Sequence, residues 1–292
     1  MQINSSKIDR LMKLSLEHKG QTEFNWPVEL STDRMWCDED LLTTYGTSFH
    51  DKLSYAEKCE LSKWEAINFF SLNVHGIKDA LKFVADCIYE SRYIAVSEYL
   101  HVFMAEENDH MRYFAKFCLN YANTIYDTPS FLPPQDTDSL EKELYMFAST
   151  LIFEEFVDFY NHKVGKNDNV PKIIKEINHS HHVDESRHVS FGRHIVLSLF
   201  EELAPDDAKR VEVSNQILRI VEYFVGIMYN SKCYDDARVF ETCGFSNSFA
   251  MRNALRNSRE RETVHHTWFK RTLDFFSRNQ IICDSSNIYS NA

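Results

Sequence analysis

Glycine and proline are scarce, at 7 and 6 of 292 residues, and few segments alternate polar and apolar positions. Both shortages argue against a β-rich fold and predict an all-α one. The seven cysteines (Cys37, Cys59, Cys87, Cys118, Cys233, Cys243 and Cys283) are odd in number, scattered and without a CxxC pair. That pattern speaks against a disulfide framework and for reduced thiols in a cytoplasmic protein. No apolar run approaches the roughly 20 residues that span a bilayer. Met1 to Arg10 hold no apolar segment of the signal-peptide kind. A basic stripe is also missing, and the net charge is −12, so the backbone of a nucleic acid is an improbable ligand.

Hydrophobic residues, by contrast, make up 43% of the chain, with 22 Phe and 14 Tyr, enough for a sizeable core. The sequence reads as a single domain over 1–292, with no internal repeat and no low-complexity linker. Residues 1–53 are expected to be irregular, with Pro27, Gly46 and several turn formers. Ser54-x-x-Glu57 is a capping box that starts a helix near Tyr55. A second helix follows Ser91 and runs to about Ala122, and a proline-marked loop (Pro129, Pro133, Pro134) leads to a third, capped by Asp138-x-x-Glu141. Pro171 fits the first position of a fourth, which ends near Leu203 before Pro205. Four long helices with short or moderate connections predict an antiparallel four-helix bundle over about 54–203. Two or three further helices are expected over about 206–278, and a frayed tail over 280–292.

The chemistry gathers on the bundle helices. The fourth carries His181, Glu185 and His188, at i, i+4 and i+7 on one face, flanked on that face by Ile174, Ile177 and Ile195. The second carries Glu107-x-x-His110 within the stripe Val96, Leu100, Phe103, Phe114. The third carries Glu154 on the stripe Leu140, Leu144, Phe147, Leu151. Polar groups aimed into a core need compensation, and two imidazole–carboxylate faces suit iron, zinc or manganese. Two inward ExxH motifs with an inward Glu between them describe a carboxylate-bridged dimetal site. About one ExxH is expected by chance in such a chain, and Glu262-x-x-His265, among arginines and without a partner helix, is read as that one. Asp184 and Glu106, each beside a candidate ligand, are placed to accept the N–H of a histidine on the facing helix. Arg187 is expected to pair with a carboxylate. Asp158 is placed either near the stripe or at the bundle end.

Glu107-x-x-His110, Glu154 and His181-x-x-x-Glu185-x-x-His188 together resemble the diiron N-oxygenases of the p-aminobenzoate N-oxygenase (AurF-like) type. The histidine four residues before the last Glu, the spacing from Glu154 to His181, and Tyr45-Gly46-Thr47 all carry the resemblance, over roughly residues 40–270. It implies a ferritin-like bundle and two iron ions held by Glu107, His110, Glu154, His181, Glu185 and His188. It further implies O2-dependent monooxygenation of an amine nitrogen, to hydroxylamine, nitroso or nitro products, in specialised-metabolite biosynthesis. The substrate would be a small-molecule amine, free or carrier-bound. An external electron donor, a reductase or ferredoxin, is implied because the chain has no flavin or nicotinamide motif. A homodimer stays open. The alternatives are C–H hydroxylation on the same scaffold and a metal-binding or partner protein with a degraded first iron site. The departure that motivates the last is on the first bundle helix, where the family has a further Glu. At the level of Glu107 this chain offers His75 and Asp79, with Asn73 as a weak donor, or Glu65 through a shifted register.

Overall fold

The structure, a computed structural model, describes residues 5–135 and 137–283. Helix α1 is Ser5–Glu17, and the four long helices are α2 Tyr55–Cys87, α3 Ser97–Ala122, α4 Ser139–Val164 and α5 Lys172–Leu203. There is no β-strand among the described residues. The predicted caps form. The Ser54 hydroxyl accepts from the Glu57 N–H, and the Glu57 carboxylate accepts from the Ser54 N–H at 2.9 Å. Asp138 accepts from the Glu141 N–H at 2.9 Å. These bonds satisfy N–H groups that a helix start leaves orphaned.

Helices α2 and α3 pack as one pair and α4 and α5 as the other, the arrangement of an antiparallel four-helix bundle. Aromatic rings fill the space between the pairs and within them. Phe69 of α2 stacks on Tyr160 of α4 at 3.6 Å, and Phe70 meets Phe114 of α3 at 5.1 Å. Each such ring contributes on the order of 2 kcal/mol by burial. The second bundle helix starts later than the sequence suggests, at Ser97, because a 3-10 turn over Ile94–Val96 precedes it.

Three expectations need correction. Residues 1–53 were expected to be irregular, yet α1 lies within them. Ile8, Leu11 and Ser15, at helical spacing, are buried where α1 packs on α3 and α5, which gives a short and mostly polar segment the tertiary contacts a helix needs. Among the described residues, the chain after α5 forms four helices, α6 Asp207–Met228, α7 Ser231–Ala237, α8 Ser248–Arg256 and α9 Arg259–Arg278. Left-handed backbone at Arg238 and Gly244 (φ +57° and +88°) breaks the path between α7 and α8. At the tail, Ile281 and Ile282 are buried and the Cys283 N–H donates to Ser214 at 3.0 Å, so residues 280–283 are anchored. Residues 284–292 of that expected tail lie outside the described residues. No described helix is long and apolar enough to cross a membrane.

Candidate metal centre

Glu107 and His110 on α3, Glu154 on α4, and His181, Glu185 and His188 on α5 are all buried at the middle of the bundle. Glu185 is the hub. Its Oε1 lies 2.8 Å from His181 Nε2, 3.5 Å from His188 Nδ1 and 3.7 Å from His110 Nδ1. Glu107 Oε1 lies 2.7 Å from His188 Nδ1 and 3.6 Å from His110 Nδ1. Glu107, His110, Glu185 and His188 present donor atoms that all fall within 4.8 Å of one another. Glu154 reaches the same point from α4 and lies against Glu185.

The donor set can be tested for fit on its own hydrogen bonding. Both oxygens of Glu107 and Glu185, Nδ1 of His110 and His188, and Nε2 of His181 are buried and have no hydrogen-bond partner. The close approaches among them are ion-pair distances without hydrogen-bond alignment. Leaving one buried polar atom unpaired costs about 1–3 kcal/mol, and native structures rarely tolerate several together. A cation among Glu107, His110, Glu185 and His188 would give each of these four residues a partner, and imidazole nitrogen with carboxylate oxygen is a donor set for iron, manganese or zinc. The residues therefore fit a metal.

The electrostatics agree. Burial disfavours both imidazolium ions, yet Glu107, Asp184 and Glu185 outweigh it at His110 and raise its pKa to about 9. His188 is raised well above the usual histidine range against the same burial penalty, chiefly by Glu185 and Glu107. Burial favours the neutral acid at Glu107 and Glu185, but the surrounding histidines, His110 and His188 for the first and His181 and His188 for the second, hold both carboxyls below the ordinary value. Glu154 goes the other way. Burial and then the Glu185 and Glu107 carboxylates push it well above the carboxylate range. Positive charge is what this pocket attracts.

An outer layer orients each ring. His110 Nε2 faces Asp184 Oδ2 at 3.0 Å, and His188 Nε2 faces Glu106 Oε2 at 2.9 Å. Asp184 and Glu106 thus stand where the sequence placed them, each on a histidine of the facing helix. Arg187 joins the two, with Glu106 at 3.0 Å and Asp184 on its Nη2. The third histidine has a partner the sequence reading missed. His181 Nδ1 meets the side-chain amide of Asn161. With the amide oxygen turned to the ring, Asn161 accepts the Nδ1–H and leaves the Nε2 lone pair facing Glu185. Spacing held the clue, because Asn161 is seven residues after Glu154 on the same face of α4. Helix α1 closes this layer. Ser15 donates to Glu106 and accepts from Arg187, and the Gly20 N–H donates to Asp184 at 2.8 Å. The backbone at Gly20 comes so near that a Cβ would sit 2.6 Å from the Ser180 carbonyl oxygen and from Asp184.

The other candidates lie elsewhere. Asp158 accepts from Arg271 and pairs with His182, away from the cluster. His265 is buried beside the Tyr229 hydroxyl, and burial together with Arg261 lowers its pKa to about 3, so it is a neutral core histidine. Glu65 accepts from the Thr43 N–H and hydroxyl. His75 is tied to the Tyr126 carbonyl at 3.0 Å, and Asp79 pairs with Lys82 at 3.6 Å. His75 and Asp79 instead line a narrow cleft between α2, α4 and α6 whose wall includes Glu154, with Phe131, Phe153, Tyr223 and Phe224 around it.

A comparison with curated proteins finds no match. Solved structures similar to this chain include variants of an R2-like ligand-binding oxidase with a reconstituted Mn/Fe cofactor. One, reconstituted aerobically, is 15% identical with a TM-score of 0.48, covering 94% of this chain and 93% of that one. Another, reconstituted anaerobically, is also 15% identical with a TM-score of 0.48, covering 96% and 94%. The family model of the p-aminobenzoate N-oxygenase AurF matches residues 4–279. That match spans the whole bundle and the helices after it, and the chain accordingly belongs to the AurF family and is an oxygen-dependent diiron oxidase.

Proposed function

We propose that Glu107, His110, Glu154, His181, Glu185 and His188 hold two iron ions and that the chain oxidises the amine nitrogen of a small molecule with O2. The observation that carries the metal assignment is the convergence of seven unpartnered, fully buried donor atoms from α3 and α5. When bound, the iron supplies O2 activation and oxygen transfer. The protein's own part is exclusion and orientation. The core around the site keeps bulk water out. Asp184, Glu106 and Asn161 hold the three imidazoles in the tautomers that present a lone pair inward. Glu154 stands where the cleft meets the donor cluster, lining the one and lying against Glu185 in the other.

The cleft supports a substrate class. Its walls are aromatic and aliphatic, and its ionisable groups are His75, Asp79 and Glu154, with no Lys or Arg among the lining residues. Such walls favour an uncharged arylamine over one that carries a carboxylate. The free volume is about 50 Å³, so admitting a substrate requires the cleft to widen. Electrons come from a separate donor, a reductase or ferredoxin, in a cytoplasmic setting, and the amine is either free or carrier-bound.

The test is turnover of iron-loaded protein with labelled O2 and a chemical reductant on aniline and on p-aminobenzoate. The expected products carry the label on nitrogen, with aniline turned over faster. Label on carbon would replace N-oxygenation by C–H hydroxylation. A chain that takes up no iron would show the degraded site instead.

A further inference from the structure

We infer that α2 serves this centre with a neutral amide: the side-chain carbonyl of Asn73 is an oxygen donor to one of the two metal positions, where the family has a carboxylate. The inference rests on the proposed metal reading. Asn73 is completely buried. Its Nδ2 donates to the Phe69 carbonyl at 2.9 Å on its own helix, which fixes the amide's orientation. Its Oδ1 then has no hydrogen-bond partner. A carbonyl oxygen sealed in a bundle core is as costly as the orphans on α3 and α5, and it calls for the same remedy.

The packing around Asn73 says which way it faces. One turn before it, Phe69 stacks on Tyr160 of α4 and Phe70 lies against Phe114 of α3, and Phe114 in turn touches the His181 ring at 4.9 Å. One turn after it, Gly76 approaches α4 so closely that a Cβ would lie 2.7 Å from the Phe153 ring, next to Glu154. Asn73 therefore faces the seam between α3 and α4. The antiparallel register set by Phe70 on Phe114 puts it at the height of His110 and Met111. The polar neighbours on α2 have other work. His75 and Asp79 line the cleft, Ser71 donates to the Ile67 carbonyl, and Asn68 bonds the Met228 carbonyl and Asn230.

An amide carbonyl is a hard oxygen donor like a carboxylate but brings no charge. The centre then has three carboxylates instead of four, and the metal position next to α2 has the weaker field. The two positions become inequivalent, with one tight and one weak affinity class.

Anaerobic titration of the metal-free full chain with Fe(II), and with Co(II) as a spectroscopic probe, tests this by stoichiometry and ligand-field spectrum. Wild type is expected to bind two ions in classes at least about tenfold apart. Asn73→Leu should keep the tight class and lose the weak one. It should melt no lower than wild type when metal-free, because it removes an unpaired carbonyl at nearly constant volume. Asn73→Asp should tighten the weak class about tenfold or more. Two unchanged classes in Asn73→Leu would overturn the inference and leave the metal reading standing. No metal on wild type would overturn both. Should Asn73→Leu fail to fold, Asn73→Asp decides alone, and weak-class binding no tighter than wild type overturns the proposal.

Discussion

Among single side chains, His181 and His265 separate by what their ring nitrogens meet. His181 shows Nε2 to Glu185 with no hydrogen bond made, whereas His265 has the Tyr229 hydroxyl at 2.5 Å and aromatic walls. His181→Ala should lower iron content per folded chain. His265→Ala should leave iron content unchanged while costing roughly 2–4 kcal/mol of stability through the cavity it opens. Metal analysis beside urea unfolding reads both, and equal iron in His181→Ala and wild type would remove His181 from the ligand set. Glu65 makes a second prediction. Burial outweighs its Thr43 hydrogen bonds and raises its pKa to about 7, above the unfolded value near 4.3. A raised carboxyl contributes stability that is complete below the unfolded pKa and lost as pH climbs through the folded one. Wild type should therefore lose on the order of 3 kcal/mol relative to Glu65→Gln between pH 5 and pH 8. Glutamine can keep both Thr43 contacts without ionising. Parallel stability curves for the two proteins would refute the assignment.

Individual helices differ in how plainly the sequence announces them. Helices α2 and α4 are legible from Ser54-x-x-Glu57 and Asp138-x-x-Glu141, and α3 and α5 from apolar stripes interrupted by ExxH, because those signals are local. Helix α1 is not, since its apolar positions are few and the partners of its Ser15, Glu106 and Arg187, lie 91 and 172 residues away. The six candidate donors could be read because each shares a helix face with an apolar stripe. Asn161 and Asn73 were harder, since neither residue type marks a site until its lack of alternatives can be seen in three dimensions. Arg187 is where α1, α3 and α5 are tied together, through Ser15, the His18 carbonyl, Glu106 and Asp184. Replacing it by methionine leaves two buried carboxylates short of a counter-charge. Arg187→Met should cost about 3–5 kcal/mol in the metal-free protein, measured by chemical denaturation. A loss below about 1 kcal/mol would show that the arginine is not the joint between these helices.

At the scale of the whole molecule, the candidate donors are enclosed by the described residues, and the Gly20–Asp184 contact is part of that enclosure. Every candidate ligand is buried, and a cleft of about 50 Å³ is too tight for a hydrated ion. Metal held there can leave only when the molecule opens locally, so its escape is limited by opening frequency as well as by affinity. Gly20→Ala forces the segment after α1 off Ser180 and Asp184. It should shorten the half-life of bound metal against a chelator at least several-fold, with the equilibrium stoichiometry unchanged. Identical stripping rates would place the opening elsewhere in the shell. A glycine one residue removed from the candidate ligand His110, through Asp184, thus becomes the latch of a clock, and metal exchange becomes a way to time the breathing of the fold.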